Sequence, residues 1–330
     1  MRRVAVPLSL TPEAARPRDG RPVALGGPTM GVTWSLRAWA PRTLSDAVLS
    51  AAVQAACDTV VAQMSTWEPA SDLSCYNDAA PGTWAPAPAH LLTVLGAALE
   101  TAELSGGAFD PTVGPLVDLW GFGAAGATTV EPAVASLRAA RVGWRDLRID
   151  TENGRIFQPG GLRLDLAGIA KGFGVDLAAR ALEGLGVRDY LLEIGGELRG
   201  GGVKGDGEPW WVEIEAPPEG ELAEVPILVA LHGLSIATSG DWRRAWSAGG
   251  RRYSHTLDPA TRAPVEDAIA AVSVLHPDCM RADALCTALT VLGPAAPDFA
   301  DRHDIAAHIV SRGADGLREW VSPALGRLLD

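Results

Sequence analysis

The sequence predicts an α+β fold in which helices pack on mixed sheets. Apolar residues recur at helical spacing in the first half of the chain, whereas strand-like segments with interspersed helices begin near residue 145. Strands and helices do not alternate regularly and no fixed-period repeat is present, which argues against an array of βαβ units. With 330 residues and 47% hydrophobic residues, the chain is long and apolar enough for one large domain or two ordinary ones.

Helices are predicted where apolar residues share one helical face: 45–64, 90–104, 132–142, 168–185 and 281–292. Strands are predicted at 147–150, 162–166, 190–193, 210–214, 227–231 and 268–275, with edge strands at 306–310 and 317–321. Residues 1–24 are rich in Pro and Arg without a period, so we expect a loose N-terminal arm. The functional domain is then 25–330, either undivided or split near 140–150 into two α/β subdomains.

Charge and composition narrow the class of protein. The formal net charge of −12 argues against a nucleic-acid partner and against attraction to anionic lipid. The four cysteines show no C-x-x-C spacing, so no zinc or redox motif is indicated. No apolar leader, lipidation cysteine or run long enough to span a bilayer is evident, so we expect a cytoplasmic protein without stable membrane insertion. A leader missing from this sequence would instead make the protein periplasmic.

Two glycine-containing segments suit the close approach of a ligand. In GAFDPTVG (107–114), followed by LWGFG (119–123), Asp110 precedes a proline and therefore lies outside a helix. Such a loop fits a flat ring or is simply a structural turn with core aromatics. In LDLAGIAKG (164–172) an acid, small residues and Lys171 lead into a helix, which suits phosphate binding, although the P-loop spacing is absent. The alternative is a tight turn with a solvated lysine.

Four further segments carry acids, hydroxyls or a histidine. EIGGE (193–197) reads as a bulge or turn with exposed acids. IATSGDW (236–242) and YSHTLDP (253–259) place His255 among hydroxyls, where it either stabilises a developing anion or is a structural residue. Asp283 and Thr287 lie four residues apart on a predicted helix, so they share one face and offer the hard oxygen ligands that magnesium accepts. Such a pair is also common without a metal.

The order and spelling of these segments resemble the ApbE family of FAD:protein FMN transferases. The matching stretches are PTMG (28–31), MSTW (64–67), SCYN (74–77), GAFDPTVGPLVDLWGFG, LDLAGIAKG, YLLEIGGELRGGG, IATSGDW, RYSHTLDP and ADALCTAL. They run from about residue 25 to 293 in the family's order. The resemblance implies an ApbE-like, T-fold-related architecture and the transfer of FMN from FAD to a Thr or Ser hydroxyl of an acceptor flavoprotein, with release of AMP.

The resemblance also implies a set of site residues. FAD would be bound by Met30, Trp67, Ala108, Phe109, Asp110, Asp165, Lys171 and Thr256. Mg²⁺ would be held by Asp283, Thr287 and the backbone carbonyl of Gly168. His255 and Lys171 would act on the pyrophosphate as catalytic residues, while the general base stays unassigned. Three alternatives remain at this stage: an FAD pyrophosphatase that gives FMN and AMP, an FAD-binding protein without turnover, and an unrelated acidic scaffold protein that does not bind FAD.

Overall fold

The computed structural model describes residues 3–16, 18–128, 130–218, 222, 224–240, 245–248 and 250–329. The helices are α1 Asp46–Met64, α2 Asp72–Asn77, α3 Ala89–Leu104, α4 Gly114–Leu119, α5 Val134–Ala139, α6 Ala170–Gly184, α7 Cys279–Leu292, α8 Ala296–Arg302 and α9 Pro323–Gly326. The strands are β1 Arg3–Ala5, β2 Arg21–Thr29, β3 Val32–Ala40, β4 Thr83–Pro86, β5 Arg148–Asp150, β6 Arg155–Gln158, β7 Asp189–Ile194, β8 Glu197–Gly201, β9 Trp210–Glu213, β10 Ile227–Leu231, β11 Leu234–Gly240, β12 Ala245–Ala248, β13 Arg251–Ser254, β14 Leu257–Asp258, β15 Ala263–Pro264, β16 Ile269–His276, β17 Ala306–Gly313 and β18 Gly316–Val321.

The largest sheet within these ranges has eight strands in the order β18-β17-β16-β11-β8-β7-β3-β2. Each neighbouring pair in it is antiparallel. In β3 the buried Trp34, Leu36 and Ala38 alternate with more exposed residues, as expected of a strand with one covered face. β16 is instead buried along nearly its whole length, because both of its faces are covered.

Helices cover one face of this sheet and a small sheet covers part of the other. Leu49 of α1 and Val175 of α6 share a buried cluster with Trp34 of β3, and Leu289 of α7 packs with Val272 of β16. On the opposite face lies a three-stranded sheet in which β1 runs parallel and β9 antiparallel to β10. The α+β prediction with mixed sheets is therefore confirmed.

Helix α1 begins where its sequence provides a cap. The Ser45 hydroxyl accepts a hydrogen bond from the Val48 N–H, which satisfies one of the free donors of the first turn. By length and composition, α1 is the helix among the described residues that could cross a membrane. Its face formed by Leu49, Val53 and Val60 is buried in the core against the sheet and α6.

Four elements differ from the sequence-based expectation. No strand forms at 162–166. The side-chain amide of Asn77 donates to the Leu164 carbonyl and accepts the Leu164 N–H, and so holds Leu164 in a connecting segment instead. The segment predicted as a loose arm contains β1 and the beginning of β2, whose pairings are long-range and leave no periodic signal. β17 is not an edge strand, since it lies between β16 and β18. The helix expected at 132–142 is reduced to α5, which buries none of its residues.

The chain on both sides of 140–150 contributes to a third sheet. In this sheet β6 pairs with β4, from the first half of the chain, and with β5. Ile156 of β6 packs in the same buried cluster as Leu91 and Leu95 of α3. A division into two subdomains at 140–150 stays a prediction.

Candidate functional site

Two hairpin turns of the large sheet lie against the beginning of α6. Met30 begins the turn between β2 and β3 with a left-handed φ of 47°, and its methyl group is 3.5 Å from where a Cβ on Gly174 would stand. Gly195 and Gly196 form the turn between β7 and β8 with φ of 60° and 103°, a conformation that glycine adopts without strain. A Cβ on Gly195 would lie 3.4 Å from Lys171 Cδ, so this turn supports the lysine stem.

The ammonium group of Lys171 lies between two buried carboxylates. Lys171 Nζ is 2.5 Å from Glu197 Oε1 and 4.0 Å from Asp283 Oδ1. The other oxygen of Asp283 accepts the N–H of Gly172 at 3.0 Å. Glu197 and Asp283 are 3% and 4% exposed, so both charges depend on these partners rather than on water.

This arrangement shifts the pKa values of both partners. Burial alone lowers the pKa of Lys171, but the negative charges of Asp283 and Glu197 outweigh it, and the net shift is upward. The lysine therefore keeps its positive charge near neutral pH. Burial raises the pKa of Asp283, against the opposing effects of Lys171 and of the Gly172 N–H.

Gly168 and Thr287 are in direct contact at the same place. A Cβ on Gly168 would stand 2.6 Å from Thr287 Oγ1, closer than side chains tolerate, so only glycine allows this approach. Thr287 is one helical turn after Asp283 on α7, as the i, i+4 spacing predicts. The structure thus brings together the three predicted metal ligands: the buried Asp283 carboxylate, the Thr287 hydroxyl and the backbone at Gly168.

The chemistry of these donors fits magnesium. Carboxylate, hydroxyl and carbonyl oxygens are hard ligands, which magnesium prefers, whereas softer metals more often bind Cys or His. Among the described residues, no group of three or more His, Cys, Asp or Glu side chains is placed to hold a metal. A cation beside Asp283 would therefore complete its coordination with hydroxyl and carbonyl oxygens, water or ligand phosphate. The metal role of Gly168, Asp283 and Thr287 stays a prediction.

The position of α7 is fixed by its contact with α6. A Cβ on Gly172 would stand 2.4 Å from the carbonyl oxygen of Cys279, so glycine is required where the two helices touch. The N-cap residue of α7 makes no side-chain cap; instead Asp176 of α6 accepts the N–H groups of Cys279 and Met280 at 3.1 and 2.9 Å. Arg199 of β8 donates to the same Asp176 carboxylate at 2.8 Å and so helps to hold it in place.

The loops that carry Asp110 and Asp165 pack on each other. The Asp165 N–H donates to the carbonyl of Pro111 at 2.9 Å. Asp110 is buried, and its carboxylate accepts from the backbone and hydroxyl of Thr112 and from the backbone of Trp144. Burial raises the pKa of Asp110, against these hydrogen bonds, which lower it. Both Asp110 oxygens thus stabilise the loop itself.

A cavity of about 230 Å³ opens beside these loops, with Thr66, Asn77, Asp118, Arg163 and Asp165 among its lining residues. Trp67, which follows Thr66, is 60% exposed, an unusual exposure for so large an apolar ring. Its backbone N–H is held by the Ser65 hydroxyl at 3.1 Å. An exposed indole next in sequence to a cavity-lining residue is available to stack on a planar ligand.

Phe109 does not share this exposure. Its ring is 4% exposed and lies in the core with Leu73 and Leu95, while its N–H donates to the Ser105 hydroxyl. Ala108, just before it, is half-buried. The Phe109 ring therefore packs in the core, and the roles of Ala108 and Phe109 in FAD binding stay predictions.

His255 belongs to a separate aromatic group near the end of α4. Its ring lies 6.4 Å from that of Phe122, in an edge-on arrangement. Trp120 contacts Tyr253 of β13 at 5.5 Å between ring centroids and so joins the segment after α4 to the one that carries His255. The next residue, Thr256, accepts the Val265 N–H through its carbonyl. Asp241 and Trp242 of the IATSGDW segment lie outside the described residues.

Glu197 and Asp176 were not identified from the sequence. The EIGGE segment predicts a turn, which forms, but it also suggests exposed acids, and Glu197 is buried against Lys171. The available signal for the burial of Glu197 was its place at the start of a strand, directly after a glycine turn. Asp176 lies within the helical pattern of α6, where a buried acid at an apolar-facing position was the corresponding clue.

Comparisons with known proteins agree on one family. A model described as the ApbE family matches residues 30–309. A FAD:protein FMN transferase of Haemophilus influenzae is 34% identical, covering 99% of this chain and 96% of that protein. The apo crystal structure of the Pseudomonas stutzeri flavinyl transferase ApbE has a TM-score of 0.86 at 38% identity, over 93% of this chain and 96% of that one. The flavin transferase ApbE from Vibrio cholerae follows at 0.85 and 34%, over 94% and 99%.

Proposed function

Since this chain belongs to the ApbE family, we propose that it is a FAD:protein FMN transferase, an enzyme that moves the FMN part of FAD onto an acceptor protein. We further propose that the acceptor group is a Thr or Ser hydroxyl, that AMP leaves, and that the reaction depends on Mg²⁺. The observation that carries this proposal is the convergence of Lys171, Asp283, Thr287 and Gly168 at the α6–α7 contact.

The reaction breaks one phosphoanhydride bond and forms one phosphoester. The acceptor oxygen bonds to the phosphorus of the FMN half, the bridging oxygen leaves with AMP, and the hydroxyl proton passes to a base. FAD carries two negative charges on its pyrophosphate, which repel an attacking oxygen. Lys171, whose positive charge is maintained by its two carboxylate neighbours, offsets part of this charge.

The other predicted residues bind and orient. Trp67 presents an exposed indole to the isoalloxazine or adenine ring, and Asp165 lines the adjoining cavity. That cavity is smaller than a typical pocket for a drug-sized ligand, so it would enclose only part of FAD. His255 lies edge-on to Phe122, just after α4, and its proposed role is to hold or deliver a proton at the pyrophosphate.

Magnesium fits the oxygen donors of Asp283, Thr287 and Gly168. When bound there, Mg²⁺ would draw charge from the phosphate oxygens and stabilise the departing AMP. The contribution of the chain is to aim Asp283 through the Gly172 N–H and to keep Thr287 against Gly168.

The decisive experiment incubates the purified protein with FAD, Mg²⁺ and a candidate acceptor flavoprotein. Transfer predicts that the acceptor gains the mass of FMN in step with AMP release. Free FMN and AMP with an unmodified acceptor would instead identify an FAD pyrophosphatase. Bound FAD that stays intact with Mg²⁺ would identify a binding protein and refute the proposal.

Matched variants of α7 test the role of its oxygen ligands. Asp283→Ala is expected to lower Mg²⁺-dependent AMP release by about 100-fold or more, since metal stabilisation of the transition state contributes several kcal/mol. Thr287→Val should raise the Mg²⁺ concentration required for half-maximal rate. Thr290→Val is the control, because the Thr290 hydroxyl donates only to the Cys286 carbonyl of its own helix. Full activity of Asp283→Ala at limiting Mg²⁺ would contradict the ligand assignment.

A further inference from the structure

The pairing of Lys171 with its two acidic neighbours is unequal. The 2.5 Å contact with Glu197 is a charge-assisted hydrogen bond, whereas the 4.0 Å separation from Asp283 is the outer limit of an ion pair. The stronger partner of Lys171 is therefore Glu197, which is not one of the predicted metal ligands. Asp283 is left with one oxygen on the Gly172 N–H and the other without a close ammonium.

The backbone fixes Glu197 in this position. It is the first residue of β8 and pairs with Ile194 directly across the Gly195-Gly196 turn. That turn also seats the lysine, because a Cβ on Gly195 would come within 2.9 Å of Val32 and 3.4 Å of Lys171 Cδ. Glu197 and the stem of Lys171 are thus held by the same turn.

We propose that Glu197 is a positioning residue that retains the Lys171 ammonium and so leaves the Asp283 carboxylate available to a divalent cation. An ammonium and a divalent cation compete for the same carboxylate oxygens. Without Glu197, the remaining carboxylate in ion-pair range of Lys171 among the described residues is Asp283, at 4.0 Å, and the flexible lysine stem can close that gap. The inference rests on the proposed function, since it concerns the same metal site.

Binding of Mn²⁺, which serves as a paramagnetic probe for the Mg²⁺ site, tests the proposal on FAD-free protein. Free Mn²⁺ is followed by electron paramagnetic resonance during titration. Glu197→Gln is expected to weaken binding by about tenfold, the usual effect of removing a group that orients a metal ligand. Lys171→Met added to Glu197→Gln should recover most of that loss, because the competing ammonium is then gone.

Glu193→Gln is the matched control. Glu193 lies on the same hairpin, on the other side of the turn, and its carboxylate holds the Gly196 N–H and the Ser35 hydroxyl rather than the lysine. The Glu193→Gln variant should bind Mn²⁺ with the same affinity as the unmodified protein. If Glu197→Gln fails to fold, Glu197→Asp keeps the charge but shortens its reach to the lysine, and it should also bind Mn²⁺ more weakly.

The outcomes separate this inference from the proposed function. If the unmodified protein binds no Mn²⁺, the metal site and the inference both fall. If it binds Mn²⁺ but Glu197→Gln binds equally well, only the inference falls. If the double variant binds no more tightly than Glu197→Gln, Glu197 acts through its own charge rather than by retaining Lys171, which also overturns the inference.

Discussion

The contact between α6 and α7 makes Gly172→Ala a sharp test of how the candidate site is held. The new Cβ would stand 2.4 Å from the carbonyl oxygen of Cys279 and 2.9 Å from Cβ of Asp283. The first of these atoms is backbone, so no side-chain rotation relieves the overlap. Reaching an ordinary contact of 3.4 Å requires α7 to move away by 3.4 − 2.4 = 1.0 Å.

Two opposing effects set the change in stability. Overpacking of a well-packed contact costs about 1–3 kcal/mol. Replacing a helical glycine by alanine returns up to about 1 kcal/mol through helix propensity. Gly184→Ala isolates the second effect, because Gly184 is the last residue of the same helix and a Cβ there meets nothing within 4 Å. The difference between the two variants is therefore dominated by the overpacking cost.

The effect on activity should exceed the effect on stability. A shift of α7 by about 1 Å displaces Asp283 and Thr287 together relative to Lys171, and misplacement of that size costs about 100-fold in rate. Urea unfolding measures the free energy of both variants, and AMP release against Mg²⁺ concentration measures their activity. If Gly172→Ala were as stable as Gly184→Ala and fully active, the close helix contact would not position the site.

Three more outcomes follow from the structure. His255→Ala should lower kcat more than it lowers FAD affinity, and equal losses in kinetics and FAD titration would indicate a binding role instead. Asp176→Asn should cost about 1–3 kcal/mol in urea unfolding and raise the Mg²⁺ requirement, whereas Asp189→Asn, which removes the charge of a buried acid bound to the Val203 N–H and Arg18, should affect stability only. Burial lowers the pKa of His308 below its ordinary 6.5, against the opposing effect of Glu319, so its folded form binds fewer protons than its unfolded form. Its contribution to stability is full above pH 6.5 and is lost as pH falls from 6.5 through the lower pKa of the folded state. The urea midpoint should therefore fall on acidification, and less so in His308→Gln; an equal fall would show that other groups dominate.

Local signals made the helices of this fold predictable. The apolar spacing places α1 within one residue of its observed beginning and predicts the observed end of α3 at Leu104. The same reasoning places Asp283 and Thr287 on one face of α7, since i, i+4 neighbours share a face in any helix.

Long-range pairing explains what the sequence did not show. β2 contains Gly26, Gly27 and Pro28, residues of low strand propensity, yet it pairs along its whole length with β3. The alternating leucines at 162–166 have the strand period, but they anchor a connection that Asn77 holds from 87 residues away. Glu197 was read as exposed because burial of a charge depends on a partner elsewhere in the chain, here Lys171.

The cap on α7 also determines when the site is assembled. The N–H of Cys279 and its acceptor Asp176 are 103 residues apart, so the first turn of α7 obtains its stabilising acceptor only from a helix made much earlier on the ribosome. α6 and β8 are synthesised before α7, which then docks onto them. The predicted cation site is thus complete only after α7 has docked on α6, and a product that ends before α7 lacks both Asp283 and Thr287.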